Sequence, residues 1–321
     1  MASSRGCARW CAGPGARVGD VNLTLDLVKI ALLGAAGWLG AAALTRGPAS
    51  ARHDLWLLVL LGAVLVPAAE LLLPPLYVIV PATWEPPRPP LALWALGALV
   101  SAARLVPGFM TLRRIARSGE RWRAPAALDA LRAAARLAGV TRPVTLLCSP
   151  DVPVPATWGV RHPVIALPAA AATWTPERLR LVLVHELVHV RRQDVLVEGL
   201  LWLAGALYWF HPAVWLAAGR LRLERERTCD EAVLATGARA SDYCGHLVEI
   251  MRAATRGRRG ARGAVIGATM AAPCTLERRV RALLASPGTT PPRPRRGVPL
   301  LVAGAVLIYA LGTLAPCASA W

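Results

Sequence analysis

Two patterns of apolar and polar positions share this chain. Runs of roughly 20 residues with almost no charge, centred near residues 35, 63, 100, 207 and 306, are each long enough to cross a hydrocarbon core about 30 Å thick. They predict membrane spans over residues 27–44, 55–73, 91–112 and 298–314, with Arg104 close enough to one end of the third to snorkel. Pro74, Pro75, Pro81, Pro86, Pro87, Pro89 and Pro90 predict an extended link between the second and third spans. After the third span the pattern becomes that of a small mixed domain. Leu128, Leu131 and Leu137 with alanines between them predict a helix over 125–137 closed by Gly139. Residues 144–148 and 164–167 are short apolar strand candidates, separated by Pro153, Pro155, Gly159 and Pro163. Thr175, Pro176 and Glu177 then combine a hydroxyl cap, a proline where no amide hydrogen is needed and a carboxylate at the positive end of a helix that runs to about residue 192.

Composition agrees with the spans: 55% of the 321 residues are hydrophobic and 17% charged, against roughly 25% charged in an ordinary soluble domain. The lipid bilayer is therefore a partner, and disordered or disulfide-framed classes are excluded. The net charge of +18 is almost all arginine, Lys29 being the sole lysine. With no DNA-reading motif beside it, this charge marks topology and not direct contact with nucleic acid. The cluster Arg113, Arg114, Arg117, Arg121 and Arg123 after the third span predicts a cytoplasmic location for the mixed domain, although Arg5, Arg9 and Arg17 at the other terminus pull against that scheme. Residues 1–20 have no compact apolar core with a cleavage site, so they read as a tail and not as a signal peptide. The seven cysteines form no C-x-x-C pair, which argues against a disulfide framework or a cysteine zinc site.

The helix over 175–192 contains His185, Glu186 and His189, an HExxH that puts two imidazoles on one face a turn apart and a carboxylate beside them. Both imidazoles can reach one Zn2+ ion, with Glu186 placed to take a proton from water there. A catalytic zinc commonly has three protein ligands, and Glu226 is the best source of the third, with Asp230 one turn on as an outer partner for an imidazole N–H. Glu224 is the fallback, and a solvated Arg/Glu helix face is the bland alternative for this stretch. The apolar run 195–219 cannot be a single crossing if both flanks bind one metal. A break at His211-Pro212 makes it a half-inserted or membrane-lying hairpin, with His211 either a helix cap or a transition-state donor.

The segments RLVLVHELVHVRRQD, YWFHPAVW and RERTCDEAVL, preceded by TWGVRHPVIALP, resemble the metallopeptidase region of the BlaR/MecR-type antirepressor family, bacterial membrane proteases of the gluzincin kind, over about residues 90 to 285. The resemblance implies zinc ligands at His185, His189 and Glu226, with Glu186 as catalytic base, and makes the strand at 164–167 similar to the edge that pairs with an extended peptide substrate. It further implies cleavage of a winged-helix penicillinase-repressor-like transcription factor, with self-cleavage as a candidate first event. In the family's best-known members a penicillin-binding sensor follows the fourth span; here the chain runs only to Trp321, so a protein lacking that domain is expected.

The expected architecture is an α-helical integral membrane protein with an embedded α+β gluzincin-type zinc metalloprotease domain. Its parts are a tail at 1–20, three transmembrane helices within 21–112, a metallopeptidase domain at 113–240 with the hairpin 195–219, a helical Arg-rich cytoplasmic linker at 241–297, and a final span with a short tail at 298–321. The linker is expected to be exposed and a candidate for self-cleavage. The expected function is that of a zinc endopeptidase of the inner membrane with a cytoplasmic active site. The alternatives are a quality-control protease of the HtpX or CAAX-endopeptidase kind and a non-enzymatic membrane receptor.

Overall fold

The computed structural model describes residues 23–45, 47–72, 76–81, 91–257, 273–285 and 314–319, together with Gly304, Leu307 and Ala310. Three of the described helical segments are long and apolar enough to cross a membrane: Leu25–Ala43, Ala49–Ala69 and Leu91–Ser118. The first two lie within α1 (Leu23–Ala43) and α2 (Ala49–Leu72). The third breaks at the exposed Arg104 into α3 (Leu91–Ala103) and α4 (Leu105–Ser118). α4 is amphipathic: Arg113, Arg114 and Arg117 are exposed or half-exposed, while Ile115 is buried against the domain beyond it. Most of the expected final span at 298–314 lies outside the described residues, as do residues 1–22, 258–272 and 286–303. The Pro-rich link contains a strand, β1 (Leu76–Pro81), which pairs in parallel with β6 (Leu314–Ser319), so those two segments lie on one side of any membrane.

The domain after α4 is built on a four-stranded sheet of β2 (Glu120–Arg121), β3 (Thr145–Ser149), β4 (Ala156–Trp158) and β5 (Val164–Pro168), in the spatial order β2-β3-β5-β4. This order corrects one expectation. The strand at 164–167 is not an edge: it pairs in parallel with β3 on one side and antiparallel with β4 on the other. Its unbroken apolar run fits that place, because Ile165 and Leu167 enter the main core while Ala166 packs on Ile115 and Leu147 across the other face. The edges among the described strands are β2 and, beside β5, β4, only three residues long.

Helix α5 (Pro125–Ala138) ends at Gly139, whose φ of 69° is the left-handed conformation that closes a helix. It packs with α6 (Pro176–Arg192), in which every residue from Leu181 to Val190 is buried. Thr175 caps α6, its hydroxyl accepting from the Arg178 amide at 3.3 Å. The chain then turns through Gln193 into α7 (Asp194–Leu207) and returns in α8 (Pro212–Leu234). The hairpin break thus falls at His211, which acts as the cap of α8: its Nδ1 accepts from the Ala213 amide at 3.3 Å.

The hairpin packs lengthwise against the first two spans. His211 Nε2 lies 3.2 Å from the carbonyl of Leu27, close to the end of the first span remote from the HExxH helix, whereas Arg52 at the start of α2 pairs with Glu224 at 2.9 Å. Helix α8 therefore lies antiparallel to α2 along most of its height. Small residues allow it, since Ala217 and Ala218 meet Ala63, Leu60 and Trp56 in one core. Trp94 of α3 donates to the Leu207 carbonyl at 2.9 Å, and a Cβ at Gly97 would stand 2.0 Å from the Trp209 ring, so the third span closes on the hairpin only because position 97 has no side chain.

Packing also does not stop at residue 240. Helix α9 (Ala240–Gly257) contributes Tyr243, Cys244, Ile250 and Ala254 to the main core, and α10 (Pro273–Ala285) contributes Leu283. The segment expected as an exposed linker is, where described, part of the domain.

Candidate metal centre

HExxH stands in the buried C-terminal half of helix α6, so its polar side chains have to find partners inside the protein. His185 and His189, one turn apart, bring their Nε2 atoms to 3.2 Å from each other. Glu226 enters from α8 and faces both, with Oε2 3.6 Å from His185 Nε2 and Oε1 3.9 Å from His189 Nε2. Both carboxylate oxygens of Glu226 are buried and without a hydrogen bond. Arg279 and Arg225 stand 3.3 and 3.4 Å from these oxygens as ion pairs without hydrogen-bonding them; two imidazole nitrogens facing a carboxylate that no hydrogen bond satisfies are a donor set that a divalent cation suits, and these residues fit a metal.

The neighbouring donors fit less well. Cys229 Sγ lies close enough to both imidazoles to join a metal cluster with them. Its nearest contact, however, is His189 Nδ1 at 3.4 Å, the nitrogen already bonded to Asp194 at 2.6 Å and turned from His185. Burial, then Asp194 and Glu226, push the Cys229 thiol well above its ordinary range. Glu224 faces elsewhere, held by Arg52 and Arg227. His211 sits against Leu27 and Ala213 as a cap.

Each imidazole has a support behind it. Asp194 takes His189 Nδ1 because Gln193, at φ 56°, ends α6 in the left-handed conformation and turns the next residue back. Burial opposes ionisation of Asp194, yet the hydrogen bond and charge of His189, then Arg192, hold its carboxyl below the usual range. Behind His185 stand Tyr243, its hydroxyl 3.0 Å from Nδ1, and Asp230, its Oδ1 3.4 Å from the same atom. Burial works against the His185 imidazolium, but Asp230 and Glu226 prevail and push it up to about 9. Asp230 is held down to about 2 against its burial, chiefly by Arg279 and then by His185. Arg279 donates to it twice, at 2.8 and 2.6 Å. Glu186 receives a 2.6 Å hydrogen bond from the hydroxyl of Thr157 on the edge strand β4.

Thr157, Asp194, Tyr243 and Arg279 were not among the candidates read from the sequence. Asp194 alone had a signal, standing directly after the helix that carries the motif; the others are single residues with no spacing to mark them.

A buried HExxH helix, a facing glutamate and membrane helices packed on the same unit define the class of membrane metallopeptidases. The model of the family described as BlaR1 peptidase M56 matches residues 88–283, well over half of the chain, and the chain belongs to that family. It is 40% identical over 93 residues to the regulatory protein BlaR1 of Bacillus licheniformis and 26% identical over 92 residues to the methicillin resistance mecR1 protein of Staphylococcus aureus. These stretches are 29% and 28% of this chain and 16% of each relative's own length.

Proposed function

We propose that the protein is a zinc endopeptidase of the cell membrane whose active site faces the cytoplasm and cleaves a transcriptional repressor of the winged-helix penicillinase-repressor type. The convergence of His185, His189 and the two unbonded oxygens of Glu226 carries the reading. These three residues are the ligands. Zinc, when bound, supplies Lewis-acid polarisation of a carbonyl and a water of lowered pKa. Glu186, held by Thr157, accepts the proton from the attacking water and returns it to the departing amine. The free edge of β4 offers an extended peptide a strand to pair with, and it puts the scissile bond beside Glu186 because Thr157 belongs to that strand. Asp194 and Asp230 keep the two imidazoles oriented.

The cytoplasmic orientation draws support from two contacts. Arg52 and the Ala49 amide, at the start of the second span, touch Glu224 and Glu231 on the helix that carries Glu226, so the loop between the first two spans is on the side of the site. The arginines after the third span assign that side to the cytoplasm.

The test is reconstitution. Wild-type protein in vesicles with zinc cuts a winged-helix repressor, whereas Glu186→Gln binds zinc equally and does not cut. A Glu186→Gln protein cleaving at the wild-type rate sinks the mechanism, and a chelated preparation that keeps full activity sinks the metal.

A further inference from the structure

Two residues from beyond position 240 reach the back of His185, and neither has a part in the proposed hydrolysis. Asp230 Oδ1, at 3.4 Å, is too far from His185 Nδ1 for a good hydrogen bond, while the Tyr243 hydroxyl stands between them, 2.9 Å from Asp230 Oδ1 and 3.0 Å from His185 Nδ1. The phenol has one proton. An ionised carboxylate can only accept, so Tyr243 donates to Asp230, and its oxygen is left to accept from His185 Nδ1–H. That order puts a proton on Nδ1 and leaves Nε2, directed at Glu226 and His189 Nε2, as the metal-binding nitrogen. Arg279 fixes the far end of the chain, its Nε on Asp230 Oδ2 and its Nη2 on Asp230 Oδ1, a bidentate grip that sets the plane of the carboxylate, while its Nη1 stands 3.3 Å from Glu226 Oε2, so the Tyr243 and Asp230 variants and not the Arg279 variants isolate the chain to His185. All four groups are buried, where such hydrogen bonds are strongest and least replaceable by water.

The two ligand histidines are thus supported differently. The partner of His189 is five residues further along the same chain turn, whereas the support of His185 is assembled from α8, α9 and α10, ending 94 positions away at Arg279. We propose that Tyr243 and Arg279 are positioning residues of the metal site, Tyr243 transmitting the orientation of Asp230 to His185 and Arg279 locking Asp230, so that α10 has to be docked for the site to hold its metal. This rests on the metallopeptidase reading.

The test measures zinc affinity by chelator competition on detergent-solubilised Glu186→Gln protein, which cannot cut itself, together with the visible spectrum of its cobalt-substituted form. Tyr243→Phe, which keeps the ring and loses the hydroxyl, is expected to weaken zinc about 10 to 100-fold and to shift the cobalt bands, as loss of an outer partner does. Arg279→Lys is expected to lose less than Arg279→Gln, because it keeps the charge but not the fork. Tyr243→Phe combined with Asp230→Asn should bind zinc as Asp230→Asn alone does, within a factor of about 2, since both cut one chain. Combined with Asp194→Asn it should multiply. Unchanged zinc affinity in Tyr243→Phe, or full multiplication with Asp230→Asn, overturns the proposal, and this arm decides it even if the Arg279 variants do not fold. His185→Ala separates the two readings: zinc retained there refutes the metallopeptidase itself, whereas zinc lost there with Tyr243→Phe inert refutes only the positioning chain.

Discussion

Glu226 has two buried oxygens without hydrogen bonds, a state that costs on the order of 1–3 kcal/mol per group when nothing compensates it. Arg279 and Arg225 approach them at 3.3 and 3.4 Å, close enough for Coulomb attraction and not for good hydrogen bonds, and the zinc proposed here would compensate what they leave. Glu226→Ala should therefore abolish stoichiometric zinc, measured by metal analysis after purification, while Glu224→Ala and Cys229→Ser retain it. Zinc lost with Cys229→Ser and kept with Glu226→Ala would make the thiol the third ligand. A second prediction concerns acid. Asp230 has its carboxyl depressed to about 2, so its pairing stabilises the fold fully above the ordinary carboxylate range, near 4, and that stabilisation is lost as pH falls through about 2. In the metal-free protein the gap in melting temperature between wild-type and Asp230→Asn should be widest between about pH 5 and 6, close as pH falls through about 2, and narrow again as pH rises through about 9, where His185 loses its proton. A gap that does not change with pH would refute the assignment. At this scale HExxH was legible because i, i+4 spacing on a helix is itself the geometry of the site. Tyr243 and Arg279 were not, because a hydroxyl and a guanidinium brought in from separate helices leave no periodicity.

Among the elements, α6 and β4 show where local pattern stops being sufficient. The run from Val164 to Leu167 has no alternation, the mark of a strand covered on both faces, and its place between β3 and β4 follows from that; the edge beside it, Ala156–Trp158, is too short to have a pattern at all. The cap of α6 and the proline break of the hairpin were both readable, since hydroxyl caps and prolines act through the residues next to them. The turn at Gln193 was not, because the left-handed conformation there is taken by a residue that does not favour it. Its cost is roughly 1–2 kcal/mol, tolerated because the turn delivers Asp194 to His189. Gln193→Gly should keep zinc and leave melting unchanged or slightly higher, while Gln193→Val should lower stability by about 1–2 kcal/mol and weaken zinc. Thermal melts with metal analysis check both, and equal behaviour of the two variants would remove the strain argument.

For the whole molecule, the strand pair β1–β6 and the Arg52–Glu224 pair are two independent constraints on topology. The first places the segments after the second span and around residue 314 on one side. The second places the loop after the first span on the side of the metal site. The expected outcome is that a reporter fused after Ser286 behaves as cytoplasmic and one fused at Trp321 as exported; the reverse at Ser286 would remove a cytoplasmic repressor as substrate. The spans were legible because a bilayer imposes length and hydrophobicity together. The packing of the hairpin along the spans was not, since an apolar run of that length has no mark of its neighbours, and tertiary contacts such as His211 with Leu27 and Trp94 with Leu207 establish it.

Helix α8 is continuous from its cap at His211 past Glu226, so the proposed metal ligand stands roughly 22 Å along the rod from the Leu27 contact at about 1.5 Å per residue, with Arg52 on Glu224 and the Ala49 amide on Glu231 as a second hold beside it. A lever of that length converts small angles into working distances: a tilt of about 3° about the membrane end displaces Glu226 by about 1 Å, and errors of that size at a reacting centre cost about a hundredfold in rate. The aim of α8 is accordingly fixed at both ends, by the Leu27 carbonyl at its cap and by Arg52 and the Ala49 amide near Glu226.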